Sequence, residues 1–128
     1  MKKHILASLI GLASGVAMAA SGTPCTGGAG QAATVPAGAA GTNFNLQAIN
    51  FRCSNNVFLS WQDSATVMAV GTGSAKGKTA YKGNSSGGAV TRSADCDASG
   101  CTQANATTAA GGGYSDATST STSTTSNP

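Results

Sequence analysis

Asp95-Cys96-Asp97-Ala98-Ser99-Gly100 is the stretch whose residue types and spacing come nearest to a chemical site. It has the D-x-D-x-S-G opening of a calcium loop, in which oxygen ligands at the first, third and fifth positions point inward and glycine at the sixth makes the turn. Asp95, Asp97 and Ser99 are therefore candidate calcium ligands. The remainder departs from that pattern. The twelfth position is Ala106, where a bidentate glutamate belongs, and the chain contains no glutamate. A carbonyl at Cys101 and the side chain of Gln103 are the donors left. The same residues also read as a polar turn closed by Cys96 and Cys101, which needs no ion. That is the better fit, so no cofactor is expected.

The other chemistry-bearing groups are sparse. Asp63 follows Trp61 and Gln62, and a carboxylate beside an aromatic ring suits a sugar-binding surface. Glycosidase chemistry would need a second carboxylate about 5–9 Å away, which the spacing does not supply. Trp61 and Tyr81 are the candidate binding surface. Lys76, Lys78 and Lys82 gather near Tyr81 among glycines, but the glycines do not match the phosphate-cradling G-x-x-x-x-G-K-[ST] pattern. A solvated loop and edge strand accounts for them. The single histidine, His4, lies in a segment expected to be removed. Its loss excludes Ser-His-Asp and Cys-His catalysis and histidine metal sites. No catalytic residue can be nominated, and the chain is not expected to be an enzyme.

Export is the clearest expectation. Lys2, Lys3 and His4 form a basic start, Ile5 to Val16 an apolar run, and Ala17-Met18-Ala19 a small-x-small cleavage site. The run is shorter than the roughly 20 residues that span a bilayer. Residues 1–19 are thus read as a signal peptide of bacterial type, leaving no membrane span. The formal net charge of +3 owes much to Lys2 and Lys3. Without them Arg52, Lys76, Lys78, Lys82 and Arg92 nearly balance Asp63, Asp95, Asp97 and Asp116, so nucleic acid is not an expected partner.

Four cysteines in an exported chain imply two disulfides from three pairings. Cys96 and Cys101 flank a four-residue turn, which leaves Cys25 for Cys53. By loop entropy the longer link contributes roughly 3–4 kcal/mol. A four-thiolate metal site is disfavoured, because only one short Cys–Cys spacing is present.

The elements that must position these groups are short strands. Residues 20–43 form a glycine- and alanine-rich extended arm, with Ala32–Val35 its one strand candidate. Residues 44–104 form a small β domain. Phe44, Leu46 and Ala48 keep strand period, and Ile49, Phe51 and Cys53 keep it on the opposite parity. A bulge near Ala48 would reconcile them and make Phe44–Cys53 hairpin partner of Val57–Trp61. Residues 65–70, 78–82 and 88–91 supply further strands, the lysines of the second marking a sheet edge. Glycine, serine and threonine interrupt every helical window beyond the first nineteen residues, so no helix is expected there. Residues 105–128 read as a Ser/Thr-rich flexible tail. Asn84 and Asn105 begin N-glycan acceptor triplets.

The fold class is therefore all-β: a small disulfide-stapled antiparallel sheet or sandwich, with an extended N-terminal arm and a disordered C-terminal tail. Secreted or cell-surface, without catalytic groups and thin in its core, the chain fits a structural subunit of an extracellular filament, pilus-like or of a biofilm matrix. It would assemble as a homopolymer by inter-subunit β-strand contacts. The alternative is a monomeric secreted binding module for a cell-surface glycan or other surface partner.

Overall fold

The computed structural model describes residues 20–28 and 30–120. The expected signal peptide at 1–19 and residues 121–128 of the expected tail lie outside the described residues. β1 (Ala20–Thr26), β4 (Val57–Asp63), β5 (Met68–Ser74), β6 (Thr79–Asn84) and β7 (Thr91–Asp95) make a five-stranded antiparallel sheet in the order β1-β4-β5-β6-β7. β2 (Ala32–Val35) and β3 (Ile49–Arg52) form a separate antiparallel ribbon, and one helix, α1 (Gln103–Thr120), follows the strands. The molecule is mostly β with antiparallel pairing and two disulfides.

Val57, Leu59 and Trp61 alternate as a strand should, and register fixes their neighbours. Trp61 pairs with Val70 and Leu59 with Thr72 across β4–β5. Val70 pairs with Gly83 and Thr72 with Tyr81 across β5–β6. These residues share the outer face. Ser60, Gly71 and Lys82, in register with one another, share the face beneath α1.

The helix corrects the expectation that residues after 104 carry no regular structure. Its start is a reciprocal cap. The Thr102 hydroxyl accepts from the Asn105 amide at 3.4 Å, and Asn105 Oδ1 accepts from the Thr102 amide at 2.8 Å. Its buried stripe is Ala106, Ala109, Ala110, Gly113 and Ala117, a three-and-four spacing built from the smallest side chains. Small residues let the helix lie directly on β5, with β4 and β6 to either side. A methyl group on Gly71 would overlap the Ala106 carbonyl and the Ala110 amide. One on Gly113 would come 2.9 Å from the Gly83 carbonyl oxygen. Gly113, unfavourable mid-helix by about 1 kcal/mol relative to alanine, is tolerated for that close approach.

Polar groups complete the helix–sheet contact. Buried Ser60 shares a 2.9 Å hydrogen bond with Thr107 and accepts one from Gln103 Nε2 at 2.8 Å. Asn84 Nδ2 donates to the Gly113 carbonyl at 3.2 Å. Lys82 reaches Asp116 at 2.6 Å. β6 is therefore an inner strand, and Lys82 secures the helix instead of guarding an edge.

The strand partners also differ from expectation. β3 pairs with β2, from Ala32↔Arg52 to Val35↔Ile49. β4 lies between β1 and β5. No bulge at Ala48 joins Phe44 to Cys53. Phe44 and Leu46 instead sit in the connection between β2 and β3, about half exposed at 48% and 53%. That connection is held by Asp63.

Candidate functional site

Asp63 ends β4 and is buried, at 2% exposure. Its two carboxylate oxygens accept from the Phe44 amide at 2.8 Å and the Asn45 amide at 3.3 Å. Asn45 Nδ2 in turn donates to the Pro36 carbonyl at 3.1 Å, closing the 36–48 connection onto the sheet. Each oxygen already holds a backbone donor, so this carboxylate works as a loop anchor.

The two aromatic residues singled out by sequence share a face but not an environment. Trp61 is buried, with its indole against Gly22 of β1. It is a core residue and is removed from the candidate binding surface. Tyr81 is 47% exposed and stands in the neighbouring register row.

Cys25 is bonded to Cys53 with a Cα separation of 5.6 Å, and Cys96 to Cys101 with 4.8 Å. The first link ties β1 to the end of the ribbon. It forms a small apolar cluster with Ala33, against which Phe51 and Leu59 pack. The second closes the turn carrying the candidate calcium ligands. Two disulfides suit an oxidising, extracellular compartment, and no described helix is long and apolar enough to cross a membrane.

Within that turn Asp97 and Gly100 pair across a tight bridge, Gly100 donating to the Asp97 carbonyl at 2.9 Å. Gly100 has φ +115°, and a Cβ there would overlap the Ala75 carbonyl, so glycine is required. Asp95 belongs to β7, and its carboxylate is paired with the Arg92 guanidinium. Asp97 and Ser99 are exposed. Among the described residues no three carboxylate, cysteine or histidine side chains converge as a metal-holding group.

The cysteine-closed turn does position something else. The Cys101 amide donates to the carbonyls of Ser74 at 3.0 Å and Gly77 at 3.2 Å. The Cys96 amide donates to the Lys78 carbonyl at 2.9 Å. The β5–β6 turn is thereby fixed from beneath. Above it a shallow groove of ≈ 300 Å³ runs between Val57, Thr72, Ser74, Lys78, Thr79 and Tyr81. Tyr81 is legible in the sequence as a candidate surface residue, while Lys78 reads there as a solvated loop or edge-strand lysine, and the groove is not legible because its hydroxyl wall depends on the β4–β5–β6 register.

Asn84 and Asn105, the two acceptor-triplet asparagines, use their side chains in the fold, Asn84 on the Gly113 carbonyl and Asn105 in the helix cap. Comparisons with protein-family models, with curated proteins and with solved structures returned no match.

Proposed function

We propose that this chain is a structural subunit of an extracellular or cell-surface filament, with copies joined through contacts between sheet edges. One observation carries this: β1 and β7 are the two terminal strands of the sheet, and among the described residues neither has a further strand on its outer side. Four antiparallel pairings separate them, so they run in the same direction. A copy translated along the sheet presents its β1 to the β7 of the next, a heterologous contact that does not close and propagates as a fibre. Exposed Phe44, Leu46, Ile49 and Val90 supply further apolar surface that contact with neighbours would remove from water.

The test is sedimentation and negative-stain microscopy of the signal-free protein over a wide concentration range. Fibres or high-mass species that survive dilution are the expected result. A single monomeric species at every concentration rejects the reading.

A second reading, a monomeric binding module for a surface glycan, is favoured by one observation: the groove beside exposed Tyr81, backed by a disulfide-closed turn.

A further inference from the structure

We infer that the Tyr81 groove is a saccharide site, accepting one pyranose ring of a polysaccharide chain. The inference deepens the second reading and does not depend on the filament.

The groove's composition sets the class of ligand. Its side chains come from three adjacent strands on the outer face, Val57 from β4, Thr72 and Ser74 from β5, and Thr79 and Tyr81 from β6. Tyr81 offers a half-exposed aromatic face, which packs against the C–H face of a sugar ring while its hydroxyl remains a polar handle. Val57 extends the apolar floor. Thr72 and Ser74 of the adjacent strand β5, and Thr79 two residues before Tyr81 on β6, add hydroxyls to the lining. Thr72 Oγ1 already donates to the Phe58 carbonyl at 3.0 Å, which fixes its rotamer and leaves its lone pairs to accept. Ser74 Oγ accepts from the Lys76 amide at 3.2 Å, which leaves its proton to donate. Lys78, exposed at the rim, adds a mobile cationic donor. An acceptor at Thr72, a donor at Ser74 and the Thr79 hydroxyl beside an aromatic ring match a ring of hydroxyls better than a peptide or an acyl chain.

Rigidity and size support the same class. The three hydrogen bonds donated by the Cys96 and Cys101 backbone amides to the β5–β6 turn, with the disulfide between those cysteines, hold the groove before any ligand arrives. Preorganisation reduces the entropy lost on binding. At ≈ 300 Å³ the groove stands at the small end of about 300–1,000 Å³ for ligand sites. It is open and shallow, so a ring within a chain can lie across it.

The test is nitrogen-15 amide chemical-shift titration of the signal-free protein with methyl glycosides of glucose, galactose, mannose, N-acetylglucosamine and glucuronic acid, and with short oligomers of each. Sedimentation on the same samples reads the oligomeric state separately. Saturable shifts confined to residues 57 and 72–81 with at least one sugar are expected. Tyr81→Ala should weaken that binding about tenfold, ~1.4 kcal/mol, with an unchanged melting temperature. Thr72→Val, should Tyr81→Ala misfold, is the second variant and should also weaken it. The inference is overturned by no shifts from any sugar, by shifts that persist undiminished in both variants, or by shifts at these residues on raising protein concentration without sugar. The last outcome would assign the groove to contact between copies. A monomer that binds no sugar rejects this inference while leaving a non-glycan binding module open; a polymer that binds sugar keeps it and rejects the monomeric reading.

Discussion

Gly71 lies directly beneath Ala106, so close that its missing side chain is what lets the helix backbone rest on the central strand. The obstruction a Cβ would meet is main chain, the Ala106 carbonyl and Ala110 amide, which cannot swing aside as a side-chain end can. Gly71→Ala must therefore lift α1 from β5 or distort β5 itself. Overpacking of this kind costs about 1–3 kcal/mol, and a backbone obstruction belongs at the upper end. Chemical denaturation of Gly71→Ala against the parent protein is expected to show that loss. A change below about 0.5 kcal/mol, the range of neutral surface substitutions, would show that the helix does not sit where described.

The same contact explains what the sequence displayed and what it concealed. Val57, Leu59 and Trp61 alternate with large side chains, so β4 was legible, and the cysteine spacing pointed to the pairs found in the structure. The helix was hidden because its buried stripe from Ala106 to Ala117 is alanine and glycine, whose burial changes hydropathy little. Its cap uses Thr102 and Asn105, where the familiar form ends in glutamate or glutamine. The partner of β3 was misjudged for another reason. Phe44 and Leu46 look like strand residues, but Asp63 binds the backbone of Phe44 and Asn45 across a separation that local periodicity does not encode. Tyr81 was legible as a candidate surface residue. The groove around it was not, since Thr72 and Ser74 join it only through register.

The two disulfides differ in what they restrain. Cys25–Cys53 spans 28 residues and Cys96–Cys101 only 5. Loop entropy assigns roughly 3–4 kcal/mol to the longer link and about 2 kcal/mol to the shorter. The longer one also anchors the cluster of Ala33, Phe51 and Leu59. Paired serine replacements should therefore rank by melting temperature, with Cys25→Ser/Cys53→Ser the more damaging. Under full reduction a dilute sample should lose most of its stability. Unaltered melting would show that apolar packing suffices without the crosslinks.

Asp63→Ala removes the buried acceptor for two part-buried backbone donors, the Phe44 and Asn45 amides. Hydrogen bonds to a charged group are worth about 1.5–3 kcal/mol each, and the 3.3 Å bond lies beyond the ordinary range. A loss of about 2–3 kcal/mol is expected, with faster amide exchange concentrated at Phe44 and Asn45. Asp63→Asn keeps one acceptor and should lose less. If exchange at those two amides stayed at the parent rate in Asp63→Ala, the aspartate would not be the anchor of the 36–48 connection.

Assembly through sheet edges makes a demand that the folded monomer does not. Ser93 stands in β7 between the Arg92 and Ala94 pairs and has no register partner on β6. Proline there removes an amide donor from the terminal strand, and edge strands tolerate proline best. Ser93→Pro should leave the monomer folded, with a melting temperature within a few degrees of the parent, while the mass of the assemblies falls toward that of one chain. Ala94→Lys, which places a charge at an exposed position of the same strand, should do likewise. Both variants forming fibres as readily as the parent would exclude β7 from the joint. β1, with Pro24 and an irregular register between Gly22 and Cys25, would then be the weaker edge on which to base continued growth. The fibres would then have to be joined through another surface, and the β1-to-β7 contact would be withdrawn.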